Sequence, residues 1–258
     1  MTKIDLTPTR RILLSGIALG ALSMTLTACS DEKSEPAAQA PAETSTPATT
    51  TAQAETPAET TTAPAANVEL PKADRDVDMA EVMKPGPLPE LAYGDPNAPV
   101  KVVEYMSMTC PHCAHFHATT LDPIKQKYVD SGKVYFVVRE FPFDPAATAA
   151  FMLARCAPEG QQLPFISMFL KQQRAWAAPS DGDVRGAMLQ NAKLAGFTQE
   201  SFEACLTNQQ LAADVSAVRD RGAKEFGVQS TPTFLINGKA YSGDMSVDTM
   251  SALIDSFL

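Results

Sequence analysis

The chain has 258 residues, room for one or two domains, and its 45% hydrophobic content is that of a globular protein. A formal net charge of −9 argues against nucleic acid as a partner. The five cysteines divide by position into a lone Cys29, the close pair Cys110 and Cys113, and the separated Cys156 and Cys205, a distribution that suits an oxidising compartment.

The chain starts with an export signal, expected over residues 1–28. Thr9-Arg10-Arg11 precedes an apolar run from Ile12 to Ala28 that is broken by Ser15, Gly16, Gly20, Ser23, Thr25 and Thr27. That run is short for a spanning helix, which needs about 20 apolar residues, and a basic start with a short apolar core is an export pattern. Leu26-Thr27-Ala28-Cys29 resembles the bacterial lipobox, which implies cleavage before Cys29 and its lipidation. Ordinary cleavage nearby, with Cys29 left as a spare thiol, is the alternative. Arg10-Arg11 is an imperfect twin-arginine match and reads better as a plain basic segment. The expected address is the periplasmic side of a bacterial membrane, anchored through Cys29 or, failing that, soluble in the periplasm. Ser30 resembles an outer-membrane sorting signal.

Residues 29–75 read as a disordered tether rich in Pro, Ala, Thr and Glu. Pro41-Ala42-Glu43-Thr44 recurs as Pro57-Ala58-Glu59-Thr60, and residues 30–70 hold seven acids against one Lys. With almost no aromatic or branched aliphatic side chains, the stretch cannot bury enough surface to offset chain entropy. Forty such residues span roughly 35 Å as a flexible coil.

A folded domain is expected over residues 76–258. Residues 79–83 suit a short helical turn, and Tyr93-Gly94-Asp95-Pro96-Asn97-Ala98-Pro99 is a turn cluster. Val100–Met106 is a β-branched strand. A helix then runs from Ala114 to Tyr128 with a break at Pro123. A second strand covers residues 133–141, and Pro142-Phe143-Asp144-Pro145 breaks the chain. Residues 146–226 are mostly helical, with segments over 147–156, 164–176, 183–194 and 199–206. Thr207-Asn208-Gln209-Gln210 resembles a capping box that opens the last of these helices. Thr233-Phe234-Leu235-Ile236 is a strand, Asn237-Gly238 a hairpin turn and Lys239-Ala240-Tyr241 its return. Ser246 caps a final helix. The order β-α-β, helical block, β-β-α is an α/β, thioredoxin-like layout with an inserted helical domain, preceded by the disordered tether.

The chemistry centres on Cys110-Pro111-His112-Cys113, set between a strand and a helix. A C-x-x-C there reads first as a redox dithiol. Cys110 falls at a helix N-terminus, where free N–H groups and the dipole favour thiolate over thiol.

Residues 104–113, Glu-Tyr-Met-Ser-Met-Thr-Cys-Pro-His-Cys, resemble the DsbA family of exported thiol–disulfide oxidoreductases. So do Ser230-Thr231-Pro232-Thr233-Phe234 and the helical insertion, and the resemblance covers residues 90–258. Thr109 stands where the family's prototype has an aromatic residue, and Thr231 is closer to the isomerases of the superfamily.

The resemblance implies an enzyme that introduces disulfides into reduced or unfolded exported polypeptides, with isomerase or reductase as the alternative. Cys110 is then the exchanging sulfur, bridged to Cys113 in the oxidised form. His112 stabilises its thiolate, unless it is a plain solvent-facing residue. Pro232 is cis and faces the dithiol, so the backbone of Thr231 can pair with an extended substrate. Glu104 matches a buried acid that relays the proton of Cys113, unless it is a strand-end acid in solvent. No cofactor beyond the Cys110–Cys113 disulfide is expected, and a quinone-linked membrane protein would reoxidise it. Isomerases of the superfamily typically carry a separate dimerisation domain, whereas residues before 76 here read as disordered, which favours a monomer and an oxidase. Cys156 and Cys205 are either buried thiols or, as export favours, a structural disulfide. A zinc or copper site built on Cys110, Cys113, His112, His115 and His117 is a rival reading, but one helix turns these side chains in several directions. A non-catalytic module for unfolded chains is another rival, and the cysteine pair argues against it.

Overall fold

The computed structural model describes residues 69–258. The expected export signal, Cys29 and the tether up to residue 68 therefore lie outside the described residues. Of the 29–75 stretch, the final residues do pack. Asp74 donates its N–H to the Ala240 carbonyl and accepts from the Ser242 N–H, so sheet pairing begins ahead of the expected boundary at 76.

Six strands form one sheet: β1 (Arg75–Asp76), β2 (Leu91–Tyr93), β3 (Val100–Met106), β4 (Val134–Glu140), β5 (Thr233–Ile236) and β6 (Lys239–Ser242). Their spatial order is β1-β6-β5-β3-β4-β2. Only β3 and β4 run parallel, and every other pairing is antiparallel. The β3–β4 crossover consists of α2 (Pro111–Thr119), α3 (Leu121–Ile124) and a π-helical turn over Lys125–Val129. Between β4 and β5 stand six helices: α4 (Pro145–Cys156), α5 (Gln162–Lys171), α6 (Gln173–Ala177), α7 (Val184–Leu194), α8 (Gln199–Leu206) and α9 (Gln209–Glu225). A short α1 (Met79–Val82) precedes β2, and α10 (Val247–Asp255) follows β6. This is the expected α/β arrangement with its helical insertion. Among the described residues no helix is long and apolar enough to cross a membrane.

Strand periodicity divides the core. Successive side chains of β3 point to opposite faces. Val102 and Met106 join the larger cluster with α2, α3, α10 and much of the insertion, while Val103 and Tyr105 join a smaller one with Val218, Phe226 and Val82. Glu104 shares the parity of Val102 and Met106, so the strand directs it under α2.

Several boundaries differ from expectation, each for a local reason. The crossover helix breaks at Thr120 rather than Pro123. Pro123 sits in the first turn of α3, where a missing N–H removes no intrahelical bond. Pro145 opens α4 instead of ending a loop, with Asp144 accepting from the Ala147 N–H as its cap. Residues 164–176 are two helices joined at Gln172. The cap of α9 is Asn208, not Thr207: the Asn208 side chain accepts from the Leu211 N–H. The edge strands β1 and β2 were not expected. Asn237 and Gly238 both take positive φ, as a two-residue hairpin turn requires. Cys156 and Cys205 are joined by a disulfide that ties α4 to α8.

Gly222 shows how closely α9 approaches the sheet. A Cβ there would meet Tyr105 Cε1 at 2.6 Å. Tyr105 is fully buried and its hydroxyl accepts from Arg139, so the ring has nowhere to retreat. Gly222→Ala would gain about 1 kcal/mol of helix propensity but incur an overpacking cost of about 1–3 kcal/mol. The expected outcome in urea denaturation is a net loss of stability, with a lowered midpoint and an unchanged slope.

Candidate active site

The loop after β3 brings Cys110 to the N-cap of α2, with Pro111 as the first helical residue. No side chain caps this helix, so the cysteine sulfur is the cap residue's own group facing the free N–H groups. Cys110 and Cys113 are both free thiols, so the structure holds the dithiol form. Cys110 is half-buried, and Cys113, within the first turn of α2, is fully buried.

The two sulfurs differ sharply in acidity. The Cys110 thiol is lowered to about 5, chiefly by the hydrogen bond from Cys113, with help from the Thr231 side chain and the backbone N–H groups of Cys113 and His112; burial opposes the shift. Burial pushes the Cys113 thiol far up, reinforced by the neighbouring Cys110 and the charge of Glu104. The division is that of an exposed thiolate and a buried thiol, with the buried partner donating to the exposed one.

Thr231 comes from the start of β5, 121 residues away. Its carbonyl accepts from Cys110 at 3.2 Å while that sulfur is a thiol, and the Thr231–Pro232 bond is cis. The Pro232 carbonyl accepts from the Gly243 N–H, so the loop is fixed from behind. Next to it, Asp244 reaches His115 on α2.

The histidines go three ways. His112 is exposed, and the contribution identified for it is its backbone N–H rather than its ring. His115 meets Asp244. His117 turns inward and meets Glu104 at 2.9 Å. Glu104 is fully buried beneath α2, which removes the solvent-facing alternative. Among the described residues no group of three or more His, Cys, Asp or Glu is placed to hold a metal ion.

Two contacts from the insertion had no sequence signal. The Gln173 amide donates to the Met108 carbonyl at 2.8 Å and to the Cys110 carbonyl at 3.0 Å. The Thr109 hydroxyl donates to Asp144 at 2.6 Å, the same carboxylate that caps α4. The backbone leading into Cys110 is thus held by α6 on one side and α4 on the other. Cys156 and Cys205 lie apart from the dithiol, within the insertion.

The family model described as thioredoxin matches residues 88–256. A chain from Rickettsia conorii, named as a protein-disulfide oxidoreductase, is 34% identical over 170 residues, covering 66% of this chain and 60% of that one. A Bacillus cereus chain, named as a disulfide bond formation protein D, is 28% identical over 172 residues, covering 65% and 78%. This chain therefore spans about 60% of the length of the rickettsial relatives it matches. Among solved structures, Wolbachia pipientis alpha-DsbA1 superimposes with a TM-score of 0.62 at 26% identity, over 69% of this chain and 94% of that one. Oxidised BdbD from Bacillus subtilis gives 0.57 at 20% identity over 71% and 96%, a likeness of fold.

Alkylation of the reduced chain at Cys110 should rise with pH through a midpoint near 5 and be flat at neutral pH, read by mass spectrometry after short exposure to iodoacetamide. Linkage gives a second readout. A thiol whose folded value lies below its unfolded one adds stability above the unfolded value and loses it as pH falls through the folded value. The dithiol form should therefore gain stability over the disulfide form as pH rises from about 5 to the ordinary thiol value of 9.0, measured by thermal melting of both forms.

Proposed function

The chain belongs to the thioredoxin family, and from that premise we propose that it is a protein thiol–disulfide oxidoreductase that introduces disulfides into exported polypeptides through Cys110 and Cys113. The observation that carries this reading is the lowered Cys110 thiol beside the raised Cys113 thiol. A stabilised thiolate makes the reduced form favourable, and a protein whose reduced form is favoured is an oxidant.

The reaction starts from the Cys110–Cys113 disulfide. A substrate thiolate attacks the Cys110 sulfur, the Cys110–Cys113 bond breaks, and its electron pair goes to the Cys113 sulfur. The substrate's second thiolate then attacks the mixed disulfide, and Cys110 leaves as the thiolate that its surroundings stabilise. The substrate gains one disulfide and loses two electrons, which the dithiol holds. The half-buried Cys110 is the accessible sulfur, and the fully buried Cys113 is sheltered from outside attack. In both the disulfide and the mixed disulfide Cys110 carries no S–H, so the Thr231 carbonyl is free to pair with the substrate backbone as an added strand.

The enzyme acts as a monomer on reduced or unfolded exported chains, on the periplasmic side of a bacterial membrane, held there by a lipid on Cys29. A quinone-linked membrane protein takes the two electrons and restores the disulfide. The lipobox-like Leu26-Thr27-Ala28-Cys29 supports the anchor, and the names of the relatives support the disulfide chemistry alone.

The equilibrium potential of the Cys110–Cys113 couple against glutathione tests the direction of electron flow. Strongly oxidising DsbA lies at about −120 mV and thioredoxin at about −270 mV. A value on the DsbA side of the midpoint supports the oxidase. A value near that of thioredoxin would leave a reductase.

A further inference from the structure

The proton relay expected of Glu104 leaves its partner, His117, without a task. Glu104 on β3 and His117 on α2 meet at 2.9 Å between Oε2 and Nε2, with side chains only 0% and 2% exposed. Each also buries a polar atom that has no partner, Oε1 of Glu104 and Nδ1 of His117. Such atoms are rare in folded proteins and call for an explanation.

Hydrogen-bond capacity narrows the options. With its proton on Nε2, a neutral His117 donates to Oε2 and leaves a bare lone pair at Nδ1. Any other tautomer or the imidazolium would leave a buried N–H at Nδ1 without an acceptor, which costs more. His117 therefore holds one carboxyl oxygen, and Oε1 remains free to carry or release a proton. The nearby need is at Cys113. When the disulfide opens, its sulfur leaves as an anion in a fully buried site and must be protonated. Glu104 and Cys110, the departing partner at the N-cap of α2, are the charged neighbours that act on Cys113, and Tyr93 on β2 also feels the charge of Glu104.

We propose that His117 is a positioning residue that holds Glu104 by Nε2–H···Oε2, so that the free oxygen of the carboxyl supplies the proton taken up by the departing Cys113 sulfur. The inference rests on the thiol–disulfide exchange reading. Attack on Cys110 breaks the S–S bond, Cys113 takes the electron pair, and the Glu104 proton completes the thiol. The carboxylate left behind keeps the His117 N–H. Reoxidation reverses the step: Cys113 returns its proton to Glu104 as its sulfur re-forms the bond. The pair thus cycles one proton without drawing on solvent.

Stopped-flow reduction of the disulfide form of the full chain by dithiothreitol tests this. His117→Leu removes the donor, His117→Asn shortens it by one bond, and His117→Gln places an amide N–H at the same reach. The Leu and Asn variants are expected to react about 10-fold or more slowly, within the usual range for general acid catalysis. The Gln variant should stay within about threefold of the parent. Alkylation of Cys110 in the reduced chains should not change, and His117→Leu should add nothing to Glu104→Gln. Parent-like rates in the Leu or Asn variants, a Gln variant as slow as Leu, or a further loss on top of Glu104→Gln would each overturn the proposal. If His117→Leu does not fold by circular dichroism, the Asn and Gln pair decides. Should the parent disulfide itself fail to exchange with dithiothreitol, the oxidoreductase reading falls instead.

Discussion

Cys110 is the cap of its own helix. A polar side chain at that position would satisfy one of the first N–H groups of α2 and end the matter. A sulfur does so well only as an anion, so the helix end and the thiolate stabilise one another. Much of the surrounding structure follows from keeping that cap in place. β3 delivers the loop, Gln173 and Thr109 hold its backbone, and α2 carries the second sulfur one turn down, where no water reaches it.

The same helix separates two kinds of chemistry by depth. At its mouth are the half-buried Cys110 and the Thr231 carbonyl that meets it. At its underside are Cys113, His117 and Glu104, all closed off. The proposed sulfur exchange needs the first zone, and the proposed passage of a proton needs the second. A single strand residue with the right parity, Glu104, joins the sheet to the lower zone. The insertion touches the first zone through Gln173, which holds the Cys110 carbonyl. Its part is to brace the loop between β3 and α2 and to cover the core beneath.

The elements rich in local signal could be read from the sequence. Val100–Met106 is β-branched, Asn237-Gly238 fits a hairpin turn, and the Cys110-Pro111-His112-Cys113 motif lies between a strand and a helix. The strands β1 and β2 could not, because two and three residues beside turn-forming segments carry no usable period. Thr207 and Asn208 both suit a cap, and only geometry selects Asn208. The pairing of His117 with Glu104 depends on which face of α2 meets the sheet, a fact of packing rather than of spacing. Gln173 and Asp144 contact the loop across 63 and 35 residues, respectively, and look in the sequence like ordinary surface residues.

Contact between Cys110 and Thr231 spans 121 residues, and β5 must pair with β3 to make it. A chain emerging from synthesis therefore presents the two cysteines long before it presents the carbonyl that engages the first of them. The Cys113 hydrogen bond and the helix end that make the first sulfur more acidic are local in sequence, while the strand that brings Thr231 into place is among the last pieces made. Pairings this distant form late in folding. The dithiol is consequently an ordinary cysteine pair in the nascent chain, and it becomes a complete exchange centre only when the C-terminal strands close the sheet.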